Sequence, residues 1–213
     1  MSHYNKIAGQ KIHRIETLSD AVFAVAMTLL VLDLKMPVNN SIFTETDLAM
    51  SFVKIIPKLL VYFLSFMTVG IFWSGQATQF QYINKSDRNL NWISLIFLLF
   101  VSIIPFTTAF LSQHIAFKFS IFIYWLNILF LGLMMFINWQ YAFKNNFLDI
   151  PNNEKRTIHK AILKRIITAQ TLYFIGALLC FINIYLSISV IIAIQLNYAF
   201  AIISTKQKKS FEN

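Results

Sequence analysis

Apolar residues gather into six blocks along the chain, over 18–35, 55–80, 91–112, 119–142, 163–183 and 185–204, parted by short polar or basic stretches. Blocks of this length rival the hydrocarbon core of a bilayer, about 30 Å or roughly 20 helical residues. The pattern predicts an all-α membrane protein of six transmembrane helices, with no stretch left over for a soluble domain. Only Asn183, Ile184 and Tyr185 separate the last two blocks, so 163–204 reads as a tight hairpin or as one bent segment. A single helix of about 40 residues would reach about 60 Å, twice the core, and the hairpin fits better.

Charge sets the orientation. Fourteen of the 18 Lys and Arg residues fall in the N-terminus, the connections after the second and fourth blocks, and the C-terminal tail; Lys35, Lys54, Lys58 and Lys118 lie on the other side. Basic loops resist translocation, so the bias predicts both termini in the cytoplasm and an even number of crossings. A net charge of +9 on a soluble surface would point to nucleic acid. Here the basic residues flank apolar blocks, so membrane lipid headgroups are the expected counter-ions and no nucleic-acid partner is expected. The stretch from Asn145 to Arg165 reads as the longest cytoplasmic connection, with Pro151 barring a simple helical run through it, and 36–54 as the main external one. Trp73, Trp92, Trp125 and Trp139 fall near block ends, as interfacial anchors do.

With 57% hydrophobic and 13% charged residues and a mean hydropathy of +0.62, the composition is too apolar for an ordinary soluble domain. Five scattered glycines build no phosphate cradle, and no zinc-protease helix or paired-carboxylate arrangement occurs. His3, His13, His114 and His159 lie outside the apolar centres, and Cys180 stands alone inside one, so no metal centre, disulfide or cofactor is expected. Asn127, Asn138, Asn183 and Asn197 read as interhelical hydrogen-bonding residues. An enzyme is not expected.

The informative stretch is RIETLSDAVFAVAMTLLVLDLKMP, from Arg14 to Pro37. Asp20 and Asp33 stand about 20 Å apart along a helix, with Thr28 the only polar residue between them. A carboxylate inside a membrane is costly unless paired or hydrated, so Asp20 marks a site, while Asp33 can reach interfacial water. At 100° per residue Leu18, Ala21, Val25, Thr28, Leu29 and Leu32 form one longitudinal stripe, with Arg14 near it. Asp20 points roughly 140° away from Val25. Such a stripe by itself is normally a helix-packing face and only weak evidence for the wall of a pore.

This stretch resembles the endosomal and lysosomal potassium channel family, transmembrane protein 175, in its bacterial form. That family is marked by an Arg, three residues and then Phe-Ser-Asp at the start of the first helix. Arg14, Ser19 and Asp20 match, and Leu18 replaces the Phe. Weaker similarity continues through LNWISLIFLLFVSIIPFTTAFL, residues 90–111. Bacterial relatives often carry a His pair after a Trp in the second helix, where Trp73 is here followed by Gln76 and Ala77.

The resemblance implies a six-helix subunit, four copies of which surround a central pore lined by their first helices. It gives Val25 the narrow apolar constriction, Thr28 the hydroxyl ring beside it, and Leu29 and Leu32 further apolar layers. Arg14, Ser19 and Asp20 become a polar hub near the cytoplasmic face. It divides the chain into a cytoplasmic N-terminus (1–17), a channel domain (18–204) and a cytoplasmic tail (205–213). The implied protein is a homotetramer of the bacterial inner, or plasma, membrane that passes potassium ions. No TVGYG-like carbonyl filter occurs, so permeation would cross side-chain rings that gate by dewetting. The alternatives are a secondary transporter, which calls for paired repeats and broken helices, and a membrane-embedded scaffold, in which the stripe is a helix interface.

Overall fold

A computed structural model describes residues 12–34 and 44–200, with the side chain of Phe200 excepted. Residues 1–11, 35–43 and 201–213 lie outside the described residues, and with them Lys35, the first part of the external connection, the end of the sixth block and the tail. Seven α-helices occur among those described: α1 (Ile12–Leu30), α2 (Glu45–Val53), α3 (Ile56–Phe80), α4 (Arg88–Gln113), α5 (Lys118–Lys144), α6 (Lys155–Leu178) and α7 (Ile184–Phe200). Short 3-10 turns, Val31–Asp33 and Leu179–Phe181, extend α1 and α6. α1 with its turn, α3, α4, α5 and α6 with its turn are each long and apolar enough to cross a membrane, and α7 is a shorter apolar helix.

Helix ends follow local chemistry. Asp87 caps α4 by accepting the Leu90 N–H at 2.8 Å, and Pro57 opens α3, where its missing N–H costs nothing. α5 ends on Asn146, whose φ of 55° is the left-handed conformation that Asn tolerates, and the Phe147 N–H then reaches back to the Ala142 carbonyl. The Asn183 carboxamide accepts the N–H groups of Tyr185 and Leu186, starting α7 immediately after α6, so the last two apolar blocks form a hairpin.

Two connections differ from the sequence reading. Residues 155–165 are the first three turns of α6 and not loop, because Lys, Arg, Ala and Leu there are good helix formers and Pro151 lies before the helix, with its carbonyl accepting from Glu154 and Lys155. Within the external connection stands α2, nucleated by a reciprocal capping box between Thr44 and Asp47. Its Leu48, Met50, Phe52 and Val53 remain exposed.

α3, α4, α5, α6 and α7 pack in sequence, and α7 returns to α3 to close the ring. α1 stands outside that ring, in the angle between α3 and α4. The interior is apolar and dense around Leu131, Trp139, Val61 and Leu64. It also holds a polar thread on which the Tyr124 hydroxyl meets Ser65 and Thr68, Thr108 donates to Ser65, and the Gln195 amide donates to Thr68. In lipid, where apolar side chains gain nothing by leaving their solvent, such bonds and close packing hold helices together. Asn127 and Asn138 of α5 likewise bond Thr107 and Ser94 of α4, as their polarity inside a span foretold, whereas Asn183 serves as a cap.

The two ends of the bundle are tied separately. At one, the loop after α3 meets the loop after α5 through Asn84 N–H to Phe147 O and Asp149 N–H to Tyr82 O. At the other, Asp33 accepts from Ser112 at 2.7 Å, and Lys118 reaches the Phe181 carbonyl. Asp33 therefore has protein partners where the sequence offered only water.

Candidate pore-lining face

α1 buries Ile15, Ser19, Phe23, Ala26 and Leu30 at steps of four and three, which lie on one side of a helix. Phe23 packs on Phe97 of α4 with ring centroids 5.9 Å apart. The opposite side carries the whole stripe: Leu18, Ala21, Val25, Thr28, Leu29 and Leu32 are all exposed in the single subunit. The contrast is sharp over two residues, with Phe23 1% exposed and Val25 56%. A groove of about 530 Å³ runs beside this face, between Ala21, Val22, Val25, Ala26 and Leu29 on α1 and Ser102 on α4.

Thr28 donates its hydroxyl proton to the Val25 carbonyl at 2.8 Å. That bond occupies the donor and leaves the oxygen lone pairs on the exposed side, where they can meet water or a cation. The face is otherwise aliphatic. It offers no carboxylate and no row of backbone carbonyls, so its chemistry is that of an apolar constriction with one layer of hydroxyl oxygens.

Arg14, Ser19 and Asp20 do not meet one another within a subunit. Ser19 is buried and donates back to the Ile15 carbonyl at 2.8 Å. Asp20 is exposed, off the stripe, and accepts the Trp73 indole N–H at 2.8 Å, which pins the first turns of α1 to α3. Arg14 is exposed and makes no hydrogen bond or ion pair with a described residue. Trp73 is thus a partner in the site and not only an anchor, and Ser102 joins the groove. Neither could be assigned from one sequence, because both contacts join separate helices. Gln76, in the place of a family histidine, is 2% exposed with its amide nitrogen unpartnered. The Trp139 indole is fully buried and donates to His159 Nδ1 at 3.1 Å.

A sequence profile described as "Endosomal/lysosomal potassium channel TMEM175" matches residues 14–105, which begin at Arg14 and run about two thirds of the way along α4. The crystal structure of a lysosomal potassium-selective channel TMEM175 homolog from Chamaesiphon minutus superposes with a TM-score of 0.76, at 26% identity, over 89% of this chain and 96% of that one. Over residues 14–105 the chain is similar to the TMEM175 family. A potassium channel of Chamaesiphon minutus is 27% identical over 87% of this chain and 92% of its own length. A potassium channel of Streptomyces collinus is 34% identical, over 48% of each. The profile covers α1, α3 and most of α4, the three helices that carry and support the exposed stripe. The protein is a multi-pass membrane protein similar to potassium channels.

Proposed function

We propose that the chain is one subunit of a homotetrameric, potassium-permeable channel of the bacterial plasma membrane, with six crossings and both termini in the cytoplasm. Four α1 helices would turn their stripes toward a common axis. Val25 would form the constriction, Thr28 the adjacent hydroxyl ring, and Leu29 and Leu32 the apolar layers on the outer side. The observation that carries this reading is the exposure of every stripe residue while the other side of α1 is buried against α3 and α4. A lipid-facing helix would expose an apolar face too, but it would have no need of Thr28.

Asp20, through Trp73, would fix the cytoplasmic end of α1, and Ser19 would tighten its packing. Arg14 is left to reach a neighbouring subunit. No cofactor is invoked, and potassium is the permeant ion. The relatives' names favour a channel over a secondary transporter, and the Thr28 layer favours it over a scaffold. Purified protein in liposomes under an outward potassium gradient, with a voltage-sensitive dye and a luminal pH probe, tests the reading. The expected result is uncoupled, gradient-driven potassium flux. Flux that strictly requires a second gradient would make it a transporter, and none at all a scaffold.

A further inference from the structure

Arg165 raises a question that ion conduction does not answer. It lies ten residues into α6, about 15 Å along the axis from Lys155, and shares its surroundings with Ser74 and Thr78 of α3. Both positions are inside apolar helices that span a bilayer by length and composition. Arg165 is exposed on the outer surface of the subunit near the basic end of α6, where a guanidinium beside lipid calls for an anionic partner. Arg165 makes no hydrogen bond or ion pair with a described residue. Among the described residues the helices around it supply no anion either, because α3, α5, α6 and α7 contain no Asp or Glu.

Around this guanidinium the helices leave a cleft. α3 and α6 form its sides, Gly132 and Met135 of α5 its floor, and Tyr198 of α7 one rim. Two adjoining open recesses share Ile71, Arg165 and Tyr198. The walls are overwhelmingly apolar, with Ile71, Phe72, Ile162, Ile166 and Ala169 prominent. The site thus couples a hydrocarbon-lined slot to one strong, unneutralised hydrogen-bond fork.

We propose that this cleft binds an anionic phospholipid of the cytoplasmic leaflet, with the phosphate held by Arg165 and an acyl chain laid along α3 and α6. A guanidinium matches two phosphate oxygens at once, and it loses less on desolvation than an ammonium does. The amphiphile satisfies both halves of the site, which a free phosphate or a protein acid would not. The proposal rests on the helices being membrane-embedded and is independent of whether they conduct.

Native mass spectrometry of the purified full chain tests it. The protein is incubated with phosphatidylglycerol or with phosphatidylcholine of the same acyl chains, and retained lipid is counted. Wild type should keep phosphatidylglycerol in preference, and Arg165→Gln should reduce that preference about five- to tenfold, the worth of one well-placed cation near a membrane surface. Arg165→Lys should restore part of it. Ala169→Trp, which narrows the slot without touching charge, should lower retention as well and decides the matter if Arg165→Gln folds poorly. Lys164→Gln removes a neighbouring charge that does not line the cleft and should leave retention unchanged. Equal losses from Lys164→Gln and Arg165→Gln would mean diffuse attraction and overturn the site. So would loss of the oligomer in Arg165→Gln with lipid retention intact, which would make the counter-ion an acid of a second copy.

Discussion

Val25 and Phe23 are two residues apart on α1 and meet opposite surroundings, one open and one sealed against Phe97. If the open side lines a pore, Val25→Asn should wet an apolar constriction, raising single-channel conductance and eroding the preference for potassium over sodium. Phe23→Asn should instead strand an amide in a cavity and destabilise the subunit by about 3 kcal/mol or more, read as loss of folded protein in detergent. If Val25→Asn only destabilised, with no change in current, the stripe would be a packing surface. The pairing of Asp20 with Trp73 makes a second claim. Trp73→Phe removes one hydrogen bond to an exposed carboxylate and should cost about 1 kcal/mol in thermal or denaturant unfolding. In an Asp20→Asn background the same change should cost clearly less, and undiminished cost would show that the indole acts by packing alone. The stripe was readable from sequence because a helical period of 100° per residue fixes which side chains share a face. The indole partner was not, because the two residues stand 53 positions apart and only the packing of α1 on α3 joins them.

At the scale of helices, hydrophobic length located α3, α4 and α5 closely, since nothing but continuous apolar sequence is needed to cross a bilayer. It failed where helices carry charge. α1 is already helical at Ile12, ahead of Leu18, and α6 starts at Lys155 and not Leu163, because hydropathy marks the membrane boundary whereas backbone hydrogen bonding continues through Arg, Lys and Glu into the headgroup region. α2 escaped notice although Thr44 and Asp47 spell out its cap, since nine residues carry too weak a period to stand out. The alternation of the helices bears on topology. The loops after α3 and α5 are hydrogen-bonded to each other, so they must lie on one side of the membrane. With Cys180 replaced, a cysteine at Asn152 should resist an impermeant thiol reagent on intact cells, and one at Asn40 should react. The opposite pattern would invert the bundle and place the basic connections outside. The hairpin between α6 and α7 depends on Asn183, and Asn183→Ala should cost about 1 kcal/mol by leaving the first N–H groups of α7 uncapped.

For the whole molecule, the decisive feature is that α1 contacts its own subunit on one side only. A lone copy leaves the stripe facing lipid, where Thr28 is no advantage and no ion path exists. Convergence of several copies would give the stripe an aqueous partner on the axis and give Arg14, without a partner among the described residues, a neighbour to meet. The number of copies then becomes measurable through Val25, the residue proposed to form the constriction. Wild type and Val25→Asn chains, carrying different affinity tags and coexpressed, should assemble at random, and each mixed channel should have a conductance set by how many asparagines enter the ring. Four equivalent subunits predict three intermediate classes between the two pure ones, with frequencies that follow the binomial distribution as the expression ratio is varied. One intermediate class would indicate a dimeric pore. Two populations with nothing between them would mean that each subunit conducts alone, which would remove α1 from any shared axis and return its exposed face to the lipid.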